Sequence, residues 1–117
     1  MVKFTILLKR KPSLTQERFV DYHRNVHAAL FMSVPVAKET VRRYVQQHAL
    51  PVDLPGMPPA KYDGITELWF DDVEAIGRLF SDAEYLRVVR PDEASFLDLE
   101  RCDFVVSEEH GVLPPSI

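Results

Sequence analysis

The stretch Phe19-Val-Asp-Tyr-His-Arg-Asn-Val-His27, which continues to Leu30, carries one apolar stripe at helical spacing. The stripe follows the i, i+3, i+4, i+7, i+8, i+11 pattern of a helix that packs against a core. Its members are Phe19, Tyr22, His23, Val26, His27 and Leu30. Two histidines therefore lie one turn apart on the face that we expect to be buried. An imidazole on such a face is either a hydrogen-bonded core group or a reactive one.

The composition is that of one folded domain. The chain has 117 residues, of which 46% are hydrophobic and 27% charged, and we predict a single domain over residues 1–117. The net charge of −4 argues against a nucleic-acid partner, because such proteins need a basic surface. The single cysteine, Cys102, cannot form an internal disulfide and favours a reducing compartment.

The sequence gives no sign of membrane insertion or export. It contains no apolar run of about 18 residues, the length that a membrane-spanning helix needs. The apolar segment Val2–Leu8 is short and is followed by three basic residues, the reverse of the charge order in a signal peptide. We therefore expect a cytoplasmic protein that binds no membrane.

Four segments have the alternation or the β-branched and aromatic content of strands. They are Lys3–Lys9, Glu39–His48, Tyr62–Phe70 and Arg101–Glu109. Helices are predicted over Gln16–Leu30, with Ser13 or Thr15 as its cap, and over Val73–Phe80, Ser81–Val89 and Asp92–Leu99. The order β-α-β-β-α-β predicts an α+β, ferredoxin-like fold with an antiparallel four-stranded sheet and both helical regions on one face.

Proline marks the segments that separate these elements. Pro35 is expected to end the first helix within Phe31–Pro35, since proline cannot continue a helix. Residues Ala49–Lys61 contain four prolines and one glycine and are predicted to form a long loop. The tail His110–Ile117 is predicted to be irregular.

The two central strands of the predicted sheet carry apolar residues on both faces. In the third strand, Ile65 and Trp69 lie on one face, while Leu68 and Phe70 lie on the other. Helices can cover only one side, and an uncovered apolar face on a small protein is usually an interface. We therefore predict a homodimer in which the two sheets pack face to face.

The chain resembles the EthD-like family of dimeric α+β barrels over residues 2–110. The features that carry the resemblance are Leu7-Leu-Lys-Arg-Lys-Pro12, Phe19 with Tyr22 and His27, Arg43-Tyr-Val-Gln-Gln-His48, and Tyr62-Asp-Gly64 with Leu68-Trp-Phe70. His23 departs from the pattern, since an aromatic residue often stands beside the helix-one histidine in this family.

The resemblance implies small enzymes that work without a cofactor. Relatives include methylmuconolactone isomerases, aromatic-polyketide cyclases, and dehydratases or decarboxylases of anthrone-like polyketides, and anthrone oxygenases share the broader barrel fold. It also implies a pocket between the helices and the sheet of each subunit. His27 from the first helix and Tyr44 and His48 from the second strand would line that pocket.

These three residues are the predicted catalytic set. His27 is expected to act as a general acid or base, because imidazole titrates near neutrality. His48 is its expected partner acid, and Tyr44 is expected to polarise a carbonyl or phenolate oxygen. The competing interpretations are a hydrogen-bonded core histidine for His27 and a surface histidine at a strand end for His48.

Five further side chains are candidate substrate contacts, each with a structural alternative. They are Tyr22, His23, Asp63, Glu67 and Trp69. For Tyr22, His23 and Trp69 the alternative is packing, and for Asp63 it is a turn or strand-start position. Of the two acidic residues, Glu67 is the stronger candidate, because it shares a strand face with Ile65 and Trp69. A carboxylate buried in a mostly apolar strand would have a raised pKa or would orient a histidine.

No metal or cofactor is expected. His23 and His27 have zinc-ligand spacing on a helix, but Arg24 occupies the position where metalloproteases carry glutamate. The function predicted is a cofactor-independent dehydratase, decarboxylase or isomerase acting on an aromatic polyketide-like compound or a lactone. The alternatives are a cofactor-free monooxygenase of the anthrone-oxidising type and a non-catalytic dimeric protein that binds a small molecule.

Overall fold

A computed structural model describes residues 1–115 of the chain. Its elements are β1 (Val2–Leu8), α1 (Gln16–Tyr22), a π-helical segment (His23–His27), α2 (Ala28–Ser33), α3 (Pro35–Thr40), β2 (Arg43–His48), β3 (Gly64–Phe70), α4 (Val73–Ser81), α5 (Ala83–Val88), α6 (Arg90–Phe96), a 3₁₀ turn (Leu99–Arg101) and β4 (Asp103–Ser107). Residues 110–115 contain no helix or strand, as predicted for the tail, and its last two residues lie outside the described part.

The four strands form one antiparallel sheet in the order β2-β3-β1-β4. The predicted α+β, ferredoxin-like architecture is confirmed, with β1 and β3 at the centre. Phe4 of β1 lies opposite Leu68 of β3, and Tyr44 of β2 lies opposite Leu68 on the other side. This register places the core residues of three strands in one row.

One face of the sheet packs against the helices. Along β3, burial alternates, so that Gly64, Thr66, Leu68 and Phe70 are buried and the residues between them are partly exposed. The helical regions, including the junctions between helices, contribute fully buried side chains to this side of the sheet, namely Phe19, Val34, Leu79, Tyr85, Val89 and Phe96. Each large apolar side chain buried in this way contributes roughly 1.5–3 kcal/mol to folding.

Gly64 lets the first helix approach the sheet closely. A Cβ at this position would lie 3.1 Å from the Gln47 carbonyl oxygen and 3.1 Å from the Phe19 ring. The absence of a side chain therefore allows Phe19 to seat against the start of β3, where it forms a smaller core cluster with Leu8, Phe96 and Leu97.

The first helix is longer than predicted and changes its winding at the two histidines. Thr15 caps it, accepting from the Arg18 N–H at 3.2 Å. The α1, π-helical and α2 segments follow without a break, and the Ala28 N–H donates to the His23 carbonyl across the wider π turn. Such π segments inside helices are frequent at functional sites.

The prediction that Glu39 and Thr40 belong to the second strand is wrong. These residues belong to α3, and β2 begins only at Arg43. Pro35 starts this helix instead of merely ending the previous one, because its fixed φ and missing N–H suit the first helical turn. Val34 before it is extended, with ψ at 137°, as a residue before proline prefers.

The second helical region consists of three short helices. Asp72 caps α4 by accepting from the Ala75 N–H at 2.9 Å, and Asp82 caps α5 by accepting from the Tyr85 N–H at 3.0 Å. Pro91 lies in the first turn of α6, which ends at Phe96 rather than Leu99. The Asp82 cap therefore separates α4 from α5.

The other face of the sheet is mixed rather than purely apolar. Ile65, Glu67 and Trp69 of β3 lie on it; Glu67 forms an ion pair with Lys3, and the Trp69 ring lies 4.7 Å from the Arg43 guanidinium. Cations at this distance from an indole are attracted to its face. Within the described residues, no helix has the length and apolarity to cross a membrane.

Candidate active site

A cavity of about 590 Å³ lies between the helices and the covered face of the sheet. Its lining is predominantly apolar and aromatic, as is usual for small-molecule sites of this size. The polar side chains that line it are His23, His27, Tyr44, Thr66, Tyr85, Arg90, Glu93, Cys102 and Asp103. The histidines come from the π-helical segment, while Tyr44 and Thr66 come from β2 and β3.

His27 is paired with a carboxylate that local sequence did not indicate. Its Nδ1 lies 2.8 Å from the Asp92 Oδ2, and only 6% of the residue is exposed. Since an ionised carboxylate can only accept, Nδ1 must carry the proton, which leaves Nε2 of the neutral ring as an acceptor. A histidine that is held in one tautomer by a carboxylate and lines a cavity can act as a general base.

Tyr22 supports this pair from behind. Its hydroxyl donates to the other oxygen of Asp92, and this hydrogen bond raises the pKa of Tyr22. The Phe96 ring packs against both Tyr22 and His27, with centroid distances of 5.1 and 4.9 Å. Tyr22 does not line the cavity, so the structure places it behind His27 rather than at the predicted substrate surface.

Tyr44 lines the cavity from the sheet side. Its oxygen accepts from the Gln46 Nε2 at 2.9 Å, and the same amide donates to the His23 carbonyl at 2.8 Å. Because that carbonyl can only accept, the orientation of the amide is fixed and the hydroxyl hydrogen of Tyr44 remains free. Burial raises the pKa of Tyr44 to about 12, so the group is a neutral donor at physiological pH.

His23 is almost completely buried, at 1% exposure, and both ring nitrogens have partners. Nδ1 lies 2.9 Å from the His48 Nε2, and Nε2 lies 3.1 Å from the Thr66 Oγ1. Burial, followed by the neighbouring His27 and His48 charges, lowers the pKa of His23 to about 3. The ring is therefore neutral throughout the physiological range.

His48 does not face His27 across the cavity. It lies behind His23 at the end of β2, is partly exposed, and does not line the cavity. Burial, with a contribution from the Arg24 charge, lowers its pKa. The predicted pairing of His27 with His48 is therefore corrected: His27 pairs with Asp92, and His48 pairs with His23.

Three other predicted contacts also lie away from the cavity. Glu67 and Trp69 point to the uncovered face of the sheet, and the Asp63 Oδ2 accepts from the Arg10 backbone N–H at 2.8 Å. The predicted face-sharing of Glu67 and Trp69 is confirmed, but the helices cover the opposite face. Since both faces of β3 carry large apolar residues, their composition did not identify the covered one.

A second polar cluster borders the cavity on α5 and α6. The Tyr85 hydroxyl donates to Glu93, whose other oxygen lies 2.9 Å from the Arg90 Nε. Burial and the Glu93 charge raise the pKa of Tyr85. Within residues 1–115, no group of three or more His, Cys, Asp or Glu side chains is arranged to hold a metal ion.

Sequence reasoning missed Thr66, Gln46, Glu93 and Asp92. The local signal for Asp92 was an acidic first turn after Pro91, a pattern that normally indicates the start of a helix. Its contact with His27 spans 65 positions and depends on how α6 packs on the π-helical segment.

The fold and the site together define a class: small α+β proteins of ferredoxin-like topology with a ligand-sized cavity between helices and sheet. The chain belongs to the EthD domain family, whose model matches residues 11–100. This match confirms the family resemblance of the sequence.

Two relatives named as dehydratases are similar over most of the chain. The dehydratase aurZ of Gibberella zeae is 27% identical over 115 residues, covering 91% of this chain and 75% of aurZ. The dehydratase CTB10 of Cercospora beticola is 28% identical over 109 residues, covering 84% of this chain and 81% of CTB10.

Solved structures share the fold. An EthD family protein of Bacillus halodurans aligns with a TM-score of 0.68 and 22% identity over 94% of this chain and 100% of that one. A dimeric protein of ferredoxin-like fold from Bacteroides fragilis aligns with a TM-score of 0.64 and 15% identity over 92% and 95% of the two chains.

Proposed function

We propose that this protein is a cofactor-independent dehydratase that removes water from a flat, oxygenated, polyketide-like compound. The observation that carries the proposal is the His27–Asp92 pair, with 2.8 Å between Nδ1 and Oδ2, at the wall of a largely aromatic cavity. Dehydration is preferred among the reactions open to such a pair because the relatives aurZ and CTB10 are both named dehydratases.

The first step is proton removal at the carbon next to a carbonyl. The His27 Nε2 takes this proton, and the electrons of the C–H bond move toward the carbonyl oxygen to form an enolate. Asp92 stabilises the imidazolium that results, because its carboxylate accepts from Nδ1. A positioned base of this kind accelerates proton transfer by about 10²–10⁴-fold.

Tyr44 is the proposed donor to the enolate oxygen. Its free hydroxyl hydrogen is available to a substrate oxygen in the cavity, and its raised pKa keeps it protonated. Elimination then breaks the bond to the β-hydroxyl, which leaves as water with a proton from the enzyme. The electron pair of the enolate becomes the new carbon–carbon double bond as the carbonyl re-forms.

The cavity favours a ring-shaped substrate with oxygen substituents at its edges. Its walls include Phe31, Phe80 and Phe96, and its size of about 590 Å³ accommodates a compound of several rings. At the cavity border formed by α5 and α6, Arg90 and Glu93 offer a donor and an acceptor to substrate hydroxyls. We therefore propose a polyhydroxylated aromatic compound as the substrate class.

The test of this function is an anaerobic incubation of the purified protein with an aromatic polyketide that carries a β-hydroxy ketone. A product lighter by one water supports dehydration, whereas loss of carbon dioxide or an isomer of unchanged mass indicates the decarboxylase or isomerase. Conversion that appears only when the incubation is repeated in air indicates the monooxygenase. Binding without conversion under either condition indicates the non-catalytic alternative.

The same assay needs matched histidine variants. His27→Ala should lower the rate of water loss by about 10²–10⁴-fold, the contribution of a general base. His110→Gln, which changes an exposed histidine of the tail, should retain the wild-type rate. Equal rates for His27→Ala and the wild type would contradict the proposed role of His27.

We also propose that residues 1–117 form one domain and that two copies pair through the uncovered face of the sheet. Pairing of β1 with β4 joins the two ends of the chain in one sheet, which supports a single folding unit. The half-buried Trp69 shares this face with Ile65, which lies opposite Leu7 of β1, and these apolar residues supply the proposed interface. Sedimentation should show a dimer that Trp69→Glu dissociates and that Leu86→Glu, a change on the exposed side of α5, leaves intact.

A further inference from the structure

Three side chains connect the cavity to the protein surface through consecutive hydrogen bonds. Thr66 and His23 line the cavity, His23 bonds to both Thr66 and His48, and His48 is partly exposed at the end of β2. None of the three is used by the His27–Asp92 pair. The chain of contacts has distances of 3.1 and 2.9 Å, which are those of ordinary hydrogen bonds.

We propose that Thr66, His23 and His48 form a proton relay that delivers a proton from solvent to the leaving hydroxyl of the substrate. The role of the relay in catalysis rests on the proposed dehydratase function, whereas proton transfer along these three side chains does not depend on it. The relay would act as the general acid that protonates the leaving group, and its residues are separate from the general base His27.

The transfer balances without any change in the charge of His23. A proton from water binds the His48 Nδ1 while the His48 Nε2–H passes its proton to the His23 Nδ1. The His23 Nε2–H passes its proton to the Thr66 Oγ1, and the Thr66 hydroxyl proton goes to the departing oxygen, which leaves as water. Each side chain ends with as many protons as it had, and both histidines have changed tautomer.

The two tautomeric states are equally well bonded. In one, His48 donates to His23 and His23 donates to Thr66; in the other, both hydrogen bonds run in the opposite direction. A ring with a carbonyl or carboxylate on one nitrogen would be locked in a single tautomer, as His27 is by Asp92. His23 has no such partner, so its proton can move in either direction.

The surroundings of His23 favour a neutral ring that passes a proton on, rather than a ring that stays protonated. Phe19 stacks on its ring at 5.6 Å and Phe96 packs at 5.7 Å, which shields the hydrogen bonds from water. The charged or titratable groups near the pair are His27, at 6.0 Å between ring centroids, and Arg24 near His48. The positive charges of Arg24 and of protonated His27 disfavour a further positive charge on the His23–His48 pair, in accord with the lowered pKa of His23.

The test uses nuclear magnetic resonance of ¹⁵N-histidine-labelled protein and requires no substrate. The relay predicts a scalar coupling between the His23 Nδ1 and the His48 Nε2, and exchange of the His23 ring N–H with solvent through His48. His48→Gln keeps a hydrogen-bonding group but cannot pass a proton, so it should slow this exchange by about tenfold or more. His110→Gln is the matched control and should leave the exchange rate unchanged.

A purely structural role for His48 makes the opposite prediction. Replacing a packing residue loosens the site, so exchange at His23 would be unchanged or faster, and either result would overturn the relay. Absence of the nitrogen–nitrogen coupling in the wild type would also overturn it. If His48→Gln fails to fold, Thr66→Val tests the other end, since loss of its hydroxyl should hold His23 in one tautomer.

These outcomes are independent of whether the protein is a dehydratase. Slower exchange in His48→Gln without water loss from any substrate supports the relay and contradicts the proposed function. Where water loss is observed, His48→Gln should lower its rate about tenfold relative to hydrogen exchange at the carbon next to the carbonyl, which depends on His27. Equal reduction of both rates would contradict delivery of the proton to the leaving group.

Discussion

The His27 Nδ1 lies 2.8 Å from the Asp92 Oδ2, although 65 positions separate the two residues in sequence. The contact joins the π-helical segment to the first turn of α6 and fixes which nitrogen of His27 faces the cavity. The proposed chemistry depends on this relationship, because a histidine without a fixed tautomer is a poorer base.

Asp92→Asn should lower the dehydration rate by about 10²-fold or more, because a neutral amide stabilises the imidazolium less well than a carboxylate. Steady-state kinetics on an aromatic β-hydroxy ketone would measure this effect in kcat. Asp21→Asn is the matched control, since Asp21 is an exposed residue of α1 that accepts from the Asn25 Nδ2 at 2.8 Å, away from the cavity. Comparable losses in both variants would contradict the assignment.

Tyr44→Phe should lower kcat by about tenfold to 10²-fold with a smaller effect on KM, because the hydroxyl stabilises charge that develops in the transition state. The pKa of about 12 predicts that Tyr44 remains a donor over the whole neutral and moderately alkaline range. If the wild-type rate decreases at alkaline pH with an apparent pKa well below 12, and Tyr44→Phe abolishes this decrease, the prediction is contradicted.

Protein stability should decrease as the pH falls below the ordinary histidine pKa. The folded pKa of His23 is about 3, below its unfolded value near 6.5, so between these values the unfolded chain binds more protons and acid favours unfolding. The free energy of unfolding should drop by up to about 1.4 kcal/mol per pH unit in this window.

Urea unfolding at several pH values measures this dependence. His23→Phe should flatten it, because the titrating group is lost, whereas His110→Gln should retain it. An identical slope in His23→Phe and the wild type would show that other groups control acid unfolding.

Gly64→Ala should destabilise the fold by about 1–3 kcal/mol, because its Cβ would meet the Phe19 ring and the Gln47 carbonyl at 3.1 Å. Gly77→Ala is the matched control: it lies within α4, and a Cβ there meets nothing within 4 Å. This second change should stabilise the helix by about 0.5–1 kcal/mol. Thermal unfolding measures the Tm of both variants. A shift of both Tm values in the same direction would contradict the packing argument.

The sequence predicted the elements whose signals are local. The helical stripe of Phe19 to Leu30 and the strand alternation follow from spacing, and the ferredoxin-like topology follows from the order of the elements. The sequence left the cap of the first helix open between Ser13 and Thr15, and the structure selects Thr15. The predicted start of the second strand was wrong because Pro35 was interpreted only as the end of one helix, whereas it also starts another. Local rules do not separate these two uses.

The site could be predicted only in part, because its contacts are made by tertiary packing. The resemblance to the EthD-like family implied that His27 and Tyr44 line a pocket, and both line the cavity of the structure. Asp92 reaches His27 only after α6 docks, and Thr66 rather than Glu67 faces the cavity because the helices cover that face of β3. The sequence has apolar residues on both faces and therefore does not choose between them.

The most direct test of the central claim is hydrogen exchange at the carbon next to the carbonyl. An aromatic ketone that lacks the β-hydroxyl cannot eliminate water, so in D₂O it reports proton removal alone. Proton magnetic resonance should show deuterium incorporation with the wild type and with His110→Gln, and a loss of about 10²-fold or more with His27→Ala. Equal incorporation with His27→Ala and the wild type would contradict the assignment of His27 as the base.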